Sequence, residues 1–164
     1  MKAGKISYPG VGVAVGGLIG FLGVMVGWFK YAYPLGNGTA TVTLNGTNDW
    51  TGAVAMAAAV GAFAFGGAYV LLDDPKVRRI AGVLMAVCSA FLLVMSLFGF
   101  GRISDAVGTP ASVFTTGAGM GLVISFVGGV VALVGSFLAS REMLAAGPAT
   151  GSETPSAPAE VVEA

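Results

Sequence analysis

Four long apolar segments alternate with short polar connections along the chain. The segments at about 10–29, 51–72, 80–100 and 117–139 contain no Asp, Glu, Lys, Arg or His. Each approaches or exceeds the roughly 20 residues with which a helix crosses the hydrocarbon core of a bilayer. The pattern therefore predicts an all-α membrane protein, a bundle of four transmembrane helices at about 10–29, 51–72, 75–100 and 117–140.

Proline positions support two of the predicted helix starts. Pro9 suits the first turn of helix 1, where a missing N–H costs nothing. Asp74 followed by Pro75 is typical of an N-cap and first helical residue, so helix 3 is expected to begin before the membrane. Helix 1 follows two lysines, as a secretory signal would, but its apolar run is too long and ends at Trp28-Phe29 without a small-residue cleavage site. We interpret it as a retained transmembrane helix.

The distribution of basic residues predicts the orientation. Lys and Arg accumulate on the cytoplasmic side of membrane proteins. One side of the predicted bundle holds Lys2, Lys5, Lys76, Arg78, Arg79 and Arg141, whereas the other holds Lys30 and Arg102. We therefore expect a multi-pass protein of the cell membrane with both termini in the cytoplasm. Aromatic residues are expected at the two membrane interfaces: Trp28, Tyr31, Tyr33 and Trp50 outside, and Tyr8 and Tyr69 inside.

The first outer loop has the pattern of a small sheet. Residues 39–44 alternate and are rich in β-branched side chains, which favours a strand. Asn37-Gly38 precedes this run and Asn45-Gly46 follows it, and Asn-Gly pairs are strong hairpin signals. A small extracytoplasmic β-hairpin, or a sheet of two or three strands, is therefore predicted there. Both Asn-Gly-Thr triplets also fit the N-glycosylation pattern, although turn chemistry alone would produce the same residues.

Residues 1–146 are predicted to form one transmembrane domain. The segment 147–164 is rich in Pro, Ala, Ser, Thr and Glu and has no apolar periodicity, so we expect a disordered cytoplasmic tail. In the second outer loop, Arg102 and Asp105 have the spacing of a surface ion pair on a helix.

Small residues recur at helical spacing in the apolar segments. In lipid, helices associate by close backbone approach, which small residues permit. We expect these stripes to pack within the bundle; the alternative is that one faces outward and binds a partner or a second copy. The candidate positions are Gly12, Gly16 and Gly20 in helix 1 and Gly121, Gly128 and Gly135 in helix 4.

Composition excludes several kinds of chemistry. The eight basic and eight acidic residues cancel, so no bulk charge attracts nucleic acid. The chain has no histidine, which removes His-ligated haem, Zn–His sites and Ser-His-Asp catalysis. Its single cysteine, Cys88, lies within an apolar segment and has no partner for a disulfide or redox pair. The expectation is a protein without cofactor, metal or catalytic residues.

The layout resembles two kinds of small membrane protein. Four helices, cytoplasmic termini and a β-like first outer loop resemble the claudin-type topology, but the claudin signature of paired tryptophans and two cysteines is missing around Trp50. The chain is also similar to small four-helix membrane proteins of actinobacteria and archaea. That resemblance rests on Trp28-Phe29, Thr41-Val42-Thr43, Asn45-Gly46 and Trp50, and it implies neither an activity nor functional residues.

Three functions remain after these exclusions. The leading hypothesis is a non-enzymatic scaffold or accessory subunit that contacts another membrane protein, or itself, through the outer loop and a Gly-lined helix face. Outer-loop candidates for such contact are Asn45, Gly46 and Trp50. The alternative is a homo-oligomeric pore or small transporter, for which the segments offer only scattered Ser and Thr. An interfacial enzyme would require Asp49, Arg102 and Asp105 to converge in one pocket.

Overall fold

The structure is a computed structural model, and it describes residues 7–35, 38–107 and 115–145. The helices of this part are α1 (Tyr8–Met25), α2 (Trp50–Leu71), α3 (Pro75–Val107) and α4 (Met120–Ala145), with a short 3₁₀ turn at Gly46–Asn48. The strands are β1 (Gly27–Leu35), β2 (Gly38–Asn45) and β3 (Thr115–Ala118). Four helices are long and apolar enough to cross a membrane, which confirms that part of the prediction.

The four helices form an antiparallel bundle with α1 and α3 on a diagonal. Helix α1 packs against α2 and α4, and α3 packs against the same two neighbours. The residues buried between helices are mostly small, whereas the outward faces carry large apolar side chains. Those outward residues include Val15, Leu18, Val60, Phe63, Val87, Phe91, Val127 and Phe137.

Glycine allows α1 to approach both of its neighbours closely. A Cβ built on Gly17 would lie 2.6 Å from the backbone N of Phe63 in α2. A Cβ built on Gly16, on another face of α1, would lie 2.5 Å from the backbone N of Ala132 in α4. Both distances are below those that real Cβ atoms adopt, so side chains larger than glycine would push the helices apart.

Helix α1 ends earlier than the sequence predicted. It was expected to continue to Phe29, but it stops at Met25 and the chain continues as β1 from Gly27. Trp28 is 0% exposed, and its Nε1–H donates to the carbonyl oxygen of Gly23 at 3.2 Å. Apolar periodicity does not distinguish the end of a helix from the start of a buried strand, because both are continuous apolar runs.

The predicted hairpin is part of a larger sheet. The three antiparallel strands have the order β2-β1-β3. Lys30 of β1 lies opposite Thr43 of β2 and Gly117 of β3, so the second predicted outer loop contributes a strand to the first. Asn45-Gly46 is not a hairpin turn, since Gly46 begins the 3₁₀ turn that leads into α2. Asn37 lies outside the described residues.

The remaining boundaries differ by a few residues. Helix α3 was predicted to end near 100 and continues to Val107, and α4 begins at Met120 because Gly117 belongs to β3. Asp74 caps α3 as predicted, with its Oδ1 accepting the N–H of Lys76 at 2.8 Å. The predicted tail at 147–164 lies outside the described residues.

The two ends of the bundle differ in structure. We call the end that holds the three strands, Asp49 and Arg102 the sheet end, and the end that holds Ser7, the short 72–74 connection and Glu142 the opposite end. At the opposite end, the Ser7 hydroxyl lies 3.1 Å from Glu142 Oε2. The Arg78 guanidinium lies 4.7 Å from the centre of the Tyr69 ring, which is buried. Tyr69 is therefore covered by the Arg78 cation at this end of the bundle.

Candidate functional site

A cleft of about 380 Å³ opens at the sheet end. It lies where β1, the end of β2 and the 3₁₀ turn meet the last turns of α3. Its lining combines an ion pair and two amides with aromatic and aliphatic side chains: Phe29, Tyr31, Leu44, Asn45, Asn48, Asp49, Arg102 and Ile103.

The ion pair joins two distant parts of the chain. Arg102 Nη1 donates to Asp49 Oδ2 at 2.5 Å, although the residues are 53 positions apart. The hydroxyl of Thr51, the second residue of α2, donates to the same carboxylate oxygen. Helix α3 is longer than the other helices. Its last turns lie beside the start of α2, and this brings Arg102 to Asp49. The contact therefore fastens the loop before α2 to α3.

Strand alternation places the aromatic lining of the cleft. Successive side chains of a strand point to opposite faces of the sheet. Phe29 is buried and Tyr31 packs against the bundle core on the face that covers the helices. Lys30 lies between them in sequence and therefore belongs to the opposite face of the sheet. The cleft thus has an apolar wall from β1 and a charged wall from Asp49 and Arg102.

Asp49 is held in its ionised form. Burial raises the pKa of its carboxyl group, but the hydrogen bonds from Thr51, Arg102 and the Trp50 backbone N–H, together with the Arg102 charge, outweigh burial and leave the pKa below its usual value. A carboxylate that is ionised and accepts several hydrogen bonds is a weak base near neutral pH. The pair is therefore suited to binding and positioning rather than to proton transfer.

The three outer-loop candidates have different surroundings. Asn45 lines the cleft. Gly46 lies beneath the indole of Trp28, where an added Cβ would be 2.8 Å from the ring carbon Cε2. Trp50 opens α2 and is 61% exposed, outside the cleft lining. Asn45 therefore belongs to the cleft, Gly46 supports the fold and Trp50 faces outward.

The six glycine candidates lie between helices. Gly16 and Gly20 of α1 approach Gly128 of α4, and Gly20 also faces Leu92 of α3. Gly12 lies opposite Gly135 at 3.8 Å, measured from its added Cβ to the Gly135 Cα. At the sheet end, Gly121 faces the carbonyl oxygens of Gly23 and Val26. None of these six positions lies on an outward helix face.

Several cleft residues were not identified from sequence. Asp49 and Arg102 were placed together only in the hypothesis of an interfacial enzyme, and the predicted ion pair joined Arg102 to Asp105. The structure pairs Arg102 with Asp49, and the side chain of Asp105 lies outside the described residues. Phe29 and Ile103 were assigned to helix 1 and the loop, because the strand and the long α3 were not predicted there. The sequence does contain one local indication of a polar site. Asn48 and Asp49 form a polar pair directly before Trp50.

The described residues contain no group of three Cys, Asp or Glu side chains that could hold a metal ion. The chain matches no protein-family model and no curated protein sequence. The class defined by fold and site is a bundle of four helices, each long enough to cross a membrane, with a sheet and a polar cleft at one end.

Proposed function

We propose that this is a multi-pass protein of the cell membrane, with the sheet end outside the cell and both termini in the cytoplasm. The distribution of side-chain size supports insertion, because most residues buried between the helices are small while large apolar residues cover the outside. Exposing such a continuous apolar surface to water is unfavourable, whereas exposing it to lipid tails is not.

The charge distribution supports the orientation. In the described residues, the opposite end carries Lys76, Arg78, Arg79 and Arg141, and the sheet end carries Lys30 and Arg102. Lys2 and Lys5 precede α1 and add to the first group. Since basic residues remain on the cytoplasmic side, the sheet end faces outward.

The protein acts as a non-enzymatic scaffold or accessory subunit that binds another membrane protein at the sheet end. The observation that carries this proposal is the edge of β2. The strand order leaves β2 with a partner on one side in the described sheet. Its exposed residues Thr41, Val42, Thr43 and Leu44 carry no charge. Uncharged edge strands without proline readily add a strand from another chain.

The alternative, a homo-oligomeric pore or small transporter, has less support. The interior of the bundle is filled by close helix contacts, and its serines are bonded within it. Ser96 donates to the Leu92 carbonyl oxygen at 2.9 Å, and the Ser89 and Ser136 hydroxyls lie 3.1 Å apart. These hydroxyls are bonded to a backbone carbonyl or to each other, so they do not line a continuous path through the bundle.

Copurification with edge variants tests the scaffold proposal. Adding a lysine to an edge strand blocks pairing with a further strand. Val42 is 45% exposed on β2, so the Val42→Lys variant should no longer bind the partner. After gentle extraction and crosslinking, the wild type should copurify with a stoichiometric second membrane protein, and Val42→Lys should not. Thr47→Lys is the matched control, because it adds the same charge to the exposed turn beside β2 and should retain the partner.

Two results would contradict the scaffold proposal. One is a wild-type protein that stays monomeric without a crosslinked partner. The other is equal retention of the partner by the Val42→Lys and Thr47→Lys variants. Crosslinks confined to a second copy, together with solute flux into liposomes, would replace the proposal with the pore alternative.

A further inference from the structure

We infer that the cleft at the sheet end binds a ligand that carries both a phosphate and a primary ammonium group, the chemistry of phosphoethanolamine. The ligand is either the headgroup of a membrane lipid or a free zwitterion of the same chemistry. The inference rests on the proposed membrane topology, and it extends the function from contact between proteins to recognition of a small polar group.

Charge in the cleft favours a zwitterion over an ion of one sign. The lining holds one guanidinium, from Arg102, and one carboxylate, from Asp49, so its formal charge is zero. A ligand that is only an anion would be repelled by the carboxylate, and a ligand that is only a cation would be repelled by the guanidinium. A molecule with both charges can pair each of its groups with the opposite charge in the cleft.

Both charged groups retain binding capacity. The Arg102 side chain is 52% exposed, and its bond to Asp49 uses one of three guanidinium nitrogens. Arginine presents five N–H donors in a geometry that suits phosphate oxygens. The Asp49 side chain is 23% exposed, and a carboxylate offers about four acceptor sites. Thr51 and Arg102 occupy sites on Oδ2, and the Trp50 backbone N–H occupies a third site. An ammonium group with N–H donors can therefore still be accepted.

The remaining lining matches the rest of such a ligand. Asn45 and Asn48 are exposed amides that donate to phosphate oxygens without adding charge. Phe29, Leu44 and Ile103 supply an apolar wall for a glycerol or the start of a hydrocarbon chain. At about 380 Å³ the cleft lies near the lower end of ligand-site volumes, which run from roughly 300 to 1,000 Å³. This volume suits a headgroup rather than a whole lipid.

The depth of the cleft in the proposed membrane agrees with a headgroup. Asp49 directly precedes α2, and Arg102 lies where α3 leaves its charge-free segment. Exposed Trp50 stands beside Asp49, and tryptophan favours the headgroup level of a bilayer. The charged wall is therefore at the level where phosphates and ammonium groups of the outer leaflet lie.

Binding to delipidated protein in detergent, followed by native mass spectrometry, tests the inference. The probes are phosphatidylethanolamine, phosphatidylglycerol with the same acyl chains, and free glycerophosphoethanolamine. We expect phosphatidylethanolamine to bind about tenfold more tightly than phosphatidylglycerol, since the second lipid lacks the ammonium group that bonds to Asp49.

Three variants locate the binding. Arg102→Gln should weaken phosphatidylethanolamine binding by about tenfold. Asp49→Asn should remove or reverse the preference over phosphatidylglycerol, and this ratio is measured within one variant, so a partial loss of stability does not obscure it. Lys30→Gln removes a charge at the same end but on the opposite face of the sheet, and it should leave both affinities unchanged.

Each outcome decides the question. Equal binding of the two lipids by the wild type, or equal effects of Arg102→Gln and Lys30→Gln, would overturn the inference. Preference for phosphatidylethanolamine without binding of glycerophosphoethanolamine assigns the cleft to a membrane lipid, and binding of both assigns it to the free zwitterion as well. Labelling of engineered cysteines in cells tests the topology separately. A wrong orientation is therefore distinguishable from a cleft that does not bind the ligand.

Discussion

Trp28 connects the sheet to the helices at the level of single residues. Its indole covers Gly46 and approaches Gly99 of α3, where an added Cβ would lie 3.5 Å from ring carbon Cζ3. Its Nε1–H is satisfied by the Gly23 carbonyl oxygen, so the ring is buried without an unpaired donor. The glycines around it are therefore needed for the space that the indole occupies.

Removing this indole should strongly destabilise the sheet end. Truncating a buried Trp to Ala typically costs about 3–5 kcal/mol, so Trp28→Ala should markedly lower the thermal unfolding midpoint in detergent. Trp50→Ala is the matched control, because Trp50 is mostly exposed, and its free energy of unfolding should change by about 0.5 kcal/mol or less. Equal losses in the two variants would contradict the structural role of Trp28.

The Asp49–Arg102 contact should be visible in the titration of Asp49. Hydrogen bonds and the Arg102 charge hold the pKa of Asp49 below its usual value, so carbon NMR of the labelled carboxyl group should show a midpoint below the ordinary value of about 3.9. The contact stabilises the fold above the unfolded-state pKa, and this contribution is lost as the pH falls through the folded-state pKa. Because Arg102 is half exposed, this contribution to the free energy of unfolding is about 1 kcal/mol or less.

Arg102→Gln provides the comparison for this titration. The variant removes the guanidinium charge and its bond to Oδ2 while keeping most of the side-chain length. The pKa of Asp49 should therefore rise in Arg102→Gln, whereas Lys30→Gln should leave it unchanged. An Asp49 midpoint that is the same in wild type and Arg102→Gln would show that the ion pair does not form in solution.

At the level of elements, the α1–α4 interface depends on backbone approach. Gly16 lies against the α4 backbone, so Gly16→Ala should force the helices apart at a cost of about 1–3 kcal/mol. Gly12→Ala is the control on the same helix, because its added Cβ meets only Gly135 Cα at an ordinary 3.8 Å. Thermal unfolding in detergent should separate the two variants, and equal midpoints would contradict this packing.

The sequence predicted the helices well and the sheet only in part. The four apolar segments were recognised because each is charge-free over the length of a helix. The run 39–44 was recognised as a strand from its alternating β-branched residues, and it is β2. Strand β1 was missed because Gly27 to Phe29 continue the apolar run of α1, and β3 was missed because its four residues, Thr115–Ala118, lack a strand pattern of their own.

The cleft was less accessible to sequence reasoning because its walls come from separated segments. The charged wall pairs residues that are 53 positions apart, and local spacing instead favoured Arg102 with Asp105. Phe29 and Tyr31 reach the cleft through the face alternation of a strand that was not predicted. Only the three-dimensional arrangement joins these side chains, since each looks like an ordinary interfacial residue by itself.

At the level of the whole molecule, the charged side chains that the structure describes lie at the two ends of the bundle. Between them lie outward faces covered by large apolar side chains and an interior of mostly small residues. The sheet end holds the cleft and the edge of β2 that is unpaired in the described sheet, and the opposite end holds most of the described basic residues. The proposed insertion with the sheet end outside accounts for both distributions.

Accessibility of single engineered cysteines in intact cells tests this topology most directly. In a Cys88→Ala background, Thr43→Cys lies in exposed β2 and Asp73→Cys lies in the exposed connection at the opposite end. A membrane-impermeant maleimide should label Thr43→Cys in intact cells and Asp73→Cys only after permeabilisation. Labelling of Asp73→Cys in intact cells, with Thr43→Cys protected until permeabilisation, would contradict the proposed orientation. Labelling of both without permeabilisation would contradict membrane crossing between the two ends.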